Sequence, residues 1–210
     1  MKSPSLEFWN KKHFEEDELK RMSQHSVFAE ESLKYFPSAG RVLELGVGIG
    51  SDALFLASQG FQVMATDFSK DALAHIPESL SLKTQQQDLN QLFPFADQEF
   101  DVVYAHLALH YFDRETTQQI FDEISRVLKP EGIIAVLLNS KTDSEYGQGK
   151  LLEKDYFDLP NKGPKRFFSV ATLKPFVIKF ETILLDDKGS DPRRNHKEDL
   201  IRFIGKKNCL

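Results

Sequence analysis

The sequence predicts a doubly wound α/β domain, and three observations carry that reading. The stretch Arg41 to Asp67, RVLELGVGIGSDALFLASQGFQVMATD, reads as strand, glycine-rich turn, helix and second strand. Farther on, Phe100 to Leu107 and Ile133 to Asn139 are apolar strands, the second of the fully buried, parallel kind, with a helix from about Arg114 to Leu128 between them. The chain has 210 residues, 40% hydrophobic and 28% charged, which suits one soluble domain with a sizeable core.

The elements follow in order. Residues from about Leu6 to Phe36 read as one or two charged amphipathic helices, with Phe8, Trp9, Phe14, Leu19, Phe28, Leu33 and Tyr35 at the apolar positions. Residues 1–37 are expected as an N-terminal lid or cap on a single domain spanning 1–210, in which Phe8, Trp9 and Phe14 could close over the site, although one apolar helix face packed on the sheet edge is the plainer reading. Pro37 to Gly40 turns into the first strand, whose apolar side chains are Val42, Leu43 and Leu45. In the helix after the glycines, Ala53, Leu54, Leu56 and Ala57 are spaced to cover a sheet. Ser51 or Asp52 is placed to cap that helix, and Gly60 ends it. The second strand, Phe61 to Thr66, finishes on Asp67. Lys70 to His75 is a short helix, Leu82 to Gln87 a polar strand ending on Asp88, and Leu92 to Glu99 a loop. Lys129-Pro130-Glu131-Gly132 closes the long helix. Thr142 to Lys165, rich in Gly, Asp, Lys and Pro, reads as a long surface loop. A short helix from Ser169 to Phe176 precedes an antiparallel pair, Ile178 to Asp186 and Asp199 to Lys206, joined by the polar connection Asp187 to Glu198.

The chemistry concentrates in the first of these units. Gly46, Gly48 and Gly50 allow backbone conformations with φ > 0 and let the main chain approach a ligand that a Cβ would push away. Amides at the following helix N-terminus favour an electron-rich group. An acid about twenty residues downstream, Asp67, can accept both hydroxyls of a ribose. The unit therefore predicts a nucleoside-containing cofactor. A dinucleotide fingerprint would place its third glycine where Ser51 stands, and Glu44 at the strand tip would repel a pyrophosphate, so a nicotinamide-dependent oxidoreductase is the weaker reading.

Glu44-Leu45-Gly46-Val47-Gly48-Ile49-Gly50 resembles the first motif of the class I S-adenosylmethionine-dependent methyltransferases. The resemblance extends over roughly Arg41 to Lys206. Asp88-Leu89 is similar to the acid after the family's third strand, Phe93-Pro94-Phe95 through Phe100-Asp101-Val102-Val103 to its fourth-strand motif, and Ile124 through Gly132 to the helix and turn before its fifth strand. The fold this implies is a seven-stranded sheet in order 3-2-1-4-5-7-6 with strand 7 antiparallel and helices on both faces. Leu54-Phe55-Leu56-Ala57, Asp88-Leu89-Asn90 and the terminal strand are most similar to small-molecule methyltransferases of the tellurite-resistance and thiopurine type. Arg166-Phe167-Phe168-Ser169 to Leu173 matches only in outline, which leaves the acceptor open.

The resemblance implies S-adenosyl-L-methionine as cofactor and S-adenosyl-L-homocysteine as product. Gly46, Gly48 and Gly50 would face the methionine portion and Glu44 its ammonium. Asp67 would take the ribose hydroxyls, with Phe68 beside the adenine, Asp88 on its amino group and Leu89 contributing an amide. His106 would lie next to the sulfonium. The reaction is then an in-line displacement of methyl from sulfur onto a small-molecule acceptor, driven largely by positioning. A general base is needed only where the acceptor must lose a proton, and His106, His110 and Tyr111 are the candidates. For His110, packing at the start of a loop is an equally good account, and Tyr104 reads as core. Arg193, Arg194 and His196 could meet an anionic acceptor, although a solvated polar loop is the better reading. The Lys11-Lys12 and Lys206-Lys207 pairs read as solvated charge. A non-catalytic protein that binds the same cofactor stays open, because binding motifs do not by themselves imply transfer.

Composition bounds the partners. A net charge of −5 argues against nucleic acid as the main partner, although a local basic face could exist, and the longest aliphatic run, Ile133 to Leu138, is far too short for a membrane span. The N-terminus has no apolar h-region, and the single cysteine, Cys209, excludes an intrachain disulfide. No metal site is expected. The compartment these features suggest is the cytoplasm.

Overall fold

A computed structural model describes residues 24–193 and 197–208. The expected N-terminal lid residues Phe8, Trp9, Phe14 and Leu19 lie outside the described residues, as do Lys11, Lys12, Arg194, His196 and Cys209. The parallel half of the sheet is β1 (Arg41–Leu45), β2 (Gln62–Asp67), β3 (Leu82–Gln86), β4 (Phe100–His106) and β5 (Leu128–Leu138). Two long strands, β9 (Phe180–Asp191) and β10 (Lys197–Lys207), complete a seven-stranded sheet in order β3-β2-β1-β4-β5-β10-β9, with β10 antiparallel to both neighbours. These two take the sixth and seventh places of the expected order. Three short strands, β6 (Lys150–Glu153), β7 (Tyr156–Leu159) and β8 (Gly163–Arg166), form a separate antiparallel sheet.

The sheet is buried on both faces because its strands alternate core side chains above and below. Val42, Val63, Ala65, Val102, Tyr104, Ala135 and Leu137 pack on one face with helices α1 (Val27–Ser32) and α2 (Ser51–Ser58) and with Leu73 of α3 (Lys70–Ala74). Leu43, Leu45, Val103, Ala105, Ile134, Val136 and Phe203 pack on the other, against α4 (Arg114–Val127) and the segment around α5 (Val170–Leu173). Helix α4 earns its place by pattern: Thr117, Ile120, Phe121, Ile124 and Val127 recur at helical spacing and are buried. Its N-cap Asp113 accepts from the Thr116 amide at 2.8 Å. Tyr104 is fully buried, as its place in the strand predicts.

Three local expectations are corrected. The residue capping α2 is Gly50, at φ 88°, and no side chain caps that helix. Asp52 instead lies in the first turn, 5% exposed, and accepts hydrogen bonds from the Ser26 amide, the Ser26 hydroxyl and the Tyr104 hydroxyl. The stretch 142–165 is not a loop throughout; β6, β7 and most of β8 lie within it. The polar connection expected at Asp187 to Glu198 is mostly strand, because β9 and β10 pair far beyond their apolar cores, out to Asp191 and Lys197.

Candidate active site

In a parallel sheet the strand ends gather at one edge, and a ligand crevice opens where the chain order reverses. Here that point lies between β1 and β4, which are paired neighbours. The ends of β1, β2, β3 and β4 therefore bring Glu44, Asp67, Gln86 and His106 to the same edge of the molecule. The glycine turn fills the space after β1. Its residues Gly46, Gly48 and Gly50 have φ of 70°, 56° and 88°, all in the left-handed region that glycine alone enters without penalty. A Cβ on Gly46 would stand 2.4 Å from the Cβ of Ala108, so the loop after β4 rests directly on the turn.

Asp67 closes the turn from the side. Its Oδ2 accepts from the Gly48 amide and its Oδ1 from the Ser69 amide, each at 2.9 Å. These bonds fix the carboxylate at the tip of β2 while each oxygen keeps a second lone pair for a hydroxyl donor. The Gln87 amide donates to the Asp67 carbonyl at 2.9 Å and ties β3 alongside. Phe68 is half-buried, and its carbonyl accepts from the Gln86 side chain at 3.0 Å. Asp88 and Leu89 are half-buried next to it, with Asp88 Oδ1 accepting from the amide and side chain of Asn90.

Glu44 is 3% exposed, and its Oε2 has no hydrogen-bond partner among the described residues. Burial, reinforced by Asp52 and Asp67 and opposed by Arg193, pushes its carboxyl well above the usual carboxylate range. An unpartnered buried carboxyl oxygen is costly and is expected to meet a donor.

At the end of β4, the His106 ring is nearly buried, with Nε2 3.3 Å from Asp191 Oδ2 and 3.4 Å from Arg193 Nη2. His110 is 1% exposed, its ring tilted against Tyr111 at 4.4 Å between centroids. The small sheet is bolted to this loop. The Arg166 amide donates to the His110 carbonyl at 2.7 Å, Arg166 Nε to the Phe112 carbonyl at 3.1 Å, and the Tyr156 hydroxyl to the Tyr111 carbonyl at 3.2 Å. Burial pulls the Arg166 guanidinium down to about 10, and Glu153 sits against it as an ion pair.

Comparison with known proteins agrees with this geometry. Residues 43–136 match the family model described as a methyltransferase domain. An uncharacterized methyltransferase of Synechocystis is 36% identical over 97 residues, 46% of this chain and 46% of that protein. Residues 43–136 are thus similar to a methyltransferase domain, and the seven-stranded sheet around them has the fold of S-adenosylmethionine-dependent methyltransferases. The chain's matches span about half the length of the curated relatives. The fold extends further. A methyltransferase of Methanosarcina mazei superposes with a TM-score of 0.71 at 19% identity, over 85% of this chain and 97% of that one. The 1,6-didemethyltoxoflavin-N1-methyltransferase of Burkholderia thailandensis, solved with 1,6-didemethyltoxoflavin and S-adenosylhomocysteine, superposes with a TM-score of 0.68 at 16% identity, over 90% and 79%.

The residues of the methyltransferase domain fit its cofactor on two observations. The unpartnered Glu44 Oε2 matches an ammonium, and the left-handed glycine turn beside a fixed Asp67 matches the adjoining ribose. Sequence reasoning missed Asp52 and Asp191 and gave Arg193 the lesser role. Arg193 is 10% exposed, not solvated, because Asp191, fully buried at the end of β9, holds it. An acid two residues before an arginine at a hairpin tip is the one signal that pointed there.

Proposed function

We propose that the protein transfers the methyl group of S-adenosylmethionine to a small-molecule acceptor by in-line displacement. The observation that carries the reading is the contact of Gly46 with Ala108, which sets the cofactor's turn directly against the loop after β4. When bound, the cofactor supplies a methyl already activated on sulfur. The chain's own task is then to orient and to exclude water. Glu44 and the glycine turn hold the methionine portion, Asp67 the ribose, and Asp88 with Leu89 and Phe68 the adenine. His106, beside the sulfur, is a contact residue, and it or His110 takes a proton where the acceptor must lose one.

The acceptor side is bounded by the loop carrying His110 and Tyr111 and by the β6–β8 sheet fastened to it. We propose the N-terminal segment, residues 1–37, as the lid or cap of this site. A small acceptor needs only a mostly apolar pocket with a few polar groups, and the Burkholderia enzyme of this fold was solved with 1,6-didemethyltoxoflavin alongside S-adenosylhomocysteine. The test is turnover of labelled donor against a panel of small oxygen, nitrogen and sulfur acceptors. Label appearing in one acceptor supports transfer. Tight S-adenosylhomocysteine binding with no transfer to any of them, nor to macromolecules of a cell extract, would leave a cofactor-binding protein that is not an enzyme.

A further inference from the structure

An amino-acid headgroup carries both an ammonium and a carboxylate, and the acids Glu44, Asp52 and Asp67 suit only the first. The charge of Arg193 opposes the burial that pushes the Glu44 carboxyl up. Arg193 stands just past β9, a strand that runs parallel to β5 and so ends at the same edge as the glycine turn. Its Nε donates to Asp191 Oδ1 at 2.9 Å and its Nη1 to the Gln24 carbonyl at 2.8 Å. Its Nη2 lies 3.3 Å from Asp191 Oδ2 and 3.4 Å from His106 Nε2. Nη1 also stands 3.7 Å from Asp52 Oδ1, in ion-pair range but beyond hydrogen-bond reach. The guanidinium thus bridges the end of β4 and the first turn of α2, the two elements that flank the turn.

We propose that Arg193 receives the carboxylate of the cofactor's methionine portion, across from Glu44 at its ammonium, so that the site selects ligands with an intact amino acid. The inference rests on the cofactor reading above. A guanidinium offers five N–H donors in a planar fork, and among the described residues one Nη1 hydrogen has only the long Asp52 contact. Asp191 is the positioning residue: it fixes the fork from behind through Nε and the Arg193 amide. Burial alone would lower the guanidinium's proton affinity, yet Asp191 and Asp52 keep it above its ordinary value, so the charge persists. The rival account is a clasp, in which Arg193 only neutralises Asp191 and Asp52 and pins Gln24.

Calorimetric titration with three ligands separates the two. S-adenosylhomocysteine carries the carboxylate, decarboxylated S-adenosylhomocysteine lacks only that group, and methylthioadenosine lacks the whole amino acid. The unaltered protein should bind S-adenosylhomocysteine at least about tenfold more tightly than its decarboxylated form. Arg193→Met should remove that difference and leave methylthioadenosine within about twofold. Arg193→Lys, a charge without the fork, should fall between. Equal binding of the first two ligands by the unaltered protein overturns the inference without any variant, even if Arg193→Met does not fold. Equal weakening of all three ligands by Arg193→Met also overturns it and leaves the clasp. Binding of none of the three by the unaltered protein strikes down the cofactor reading itself, and this inference with it.

Discussion

If Glu44 meets the cofactor's ammonium as proposed, it trades stability for binding. Its carboxyl is buried, pressed by Asp52 and Asp67, and only partly relieved by Arg193, so its folded-state proton affinity lies above the unfolded value. A group shifted this way contributes stability that is whole below about pH 4.5 and is lost as pH rises through its folded value. Glu44→Gln should therefore melt higher than the unaltered protein at neutral pH, with the gap closing as pH falls toward 4.5. A melting difference independent of pH would contradict this. In the presence of S-adenosylhomocysteine the order should reverse, since an ammonium stabilises the ionised carboxylate and Gln cannot supply that charge. Asp67 works differently, because it is already organised by the Gly48 and Ser69 amides. Asp67→Ala should lose charge-assisted bonds to the ribose worth roughly 1.5–3 kcal/mol each at most. Titration calorimetry giving less than about a threefold loss would mean that the ribose is held elsewhere.

At the scale of elements, the glycine turn is the part on which the others depend. Gly48 sits at φ 56° with its amide on Asp67, a conformation that a β-branched residue strongly resists. Gly48→Val should leave a folded protein by circular dichroism that no longer binds S-adenosylhomocysteine; normal binding would remove the turn from the site. This element was legible in the residues because glycines at alternate positions between two apolar runs have few other uses. So were α4, whose apolar positions recur at helical spacing, and β4 and the inner part of β5, which are continuous apolar runs; Leu128 to Gly132, read as helix end and turn, already belongs to β5. The β6–β8 sheet was hidden because its strands are four residues long and carry Lys150, Asp158, Pro164 and Lys165, a loop-like composition. What orders it is distant: Arg166 on the carbonyls of Phe112 and Lys154, and Lys141 on Asp155. The outer half of the β9–β10 pair was hidden for the same reason. Its polar residues pair across strands, and Arg193 is buried with Asp191 in a stretch that has no apolar residue to announce burial.

The whole molecule places the cofactor's turn, the His106 end of β4 and the last hairpin at one sheet edge, with the small sheet fastened over the neighbouring loop. If residues 1–23 close that space, a chain beginning at Gln24 should keep cofactor affinity, because Ser26 and its bonds to Asp52 remain. Methyl transfer to small acceptors should then collapse, and full transfer would reduce the segment to packing. No helix among the described residues is long and apolar enough to cross a membrane. The claim on which all of this stands is that the edge between β1 and β4 holds S-adenosylmethionine and not a dinucleotide. Calorimetric titration of the full chain with S-adenosylhomocysteine and, separately, with NAD tests it most directly. Saturable binding of S-adenosylhomocysteine at one site per chain, with no heat from NAD, is the expected result; binding of NAD with none of S-adenosylhomocysteine would contradict it.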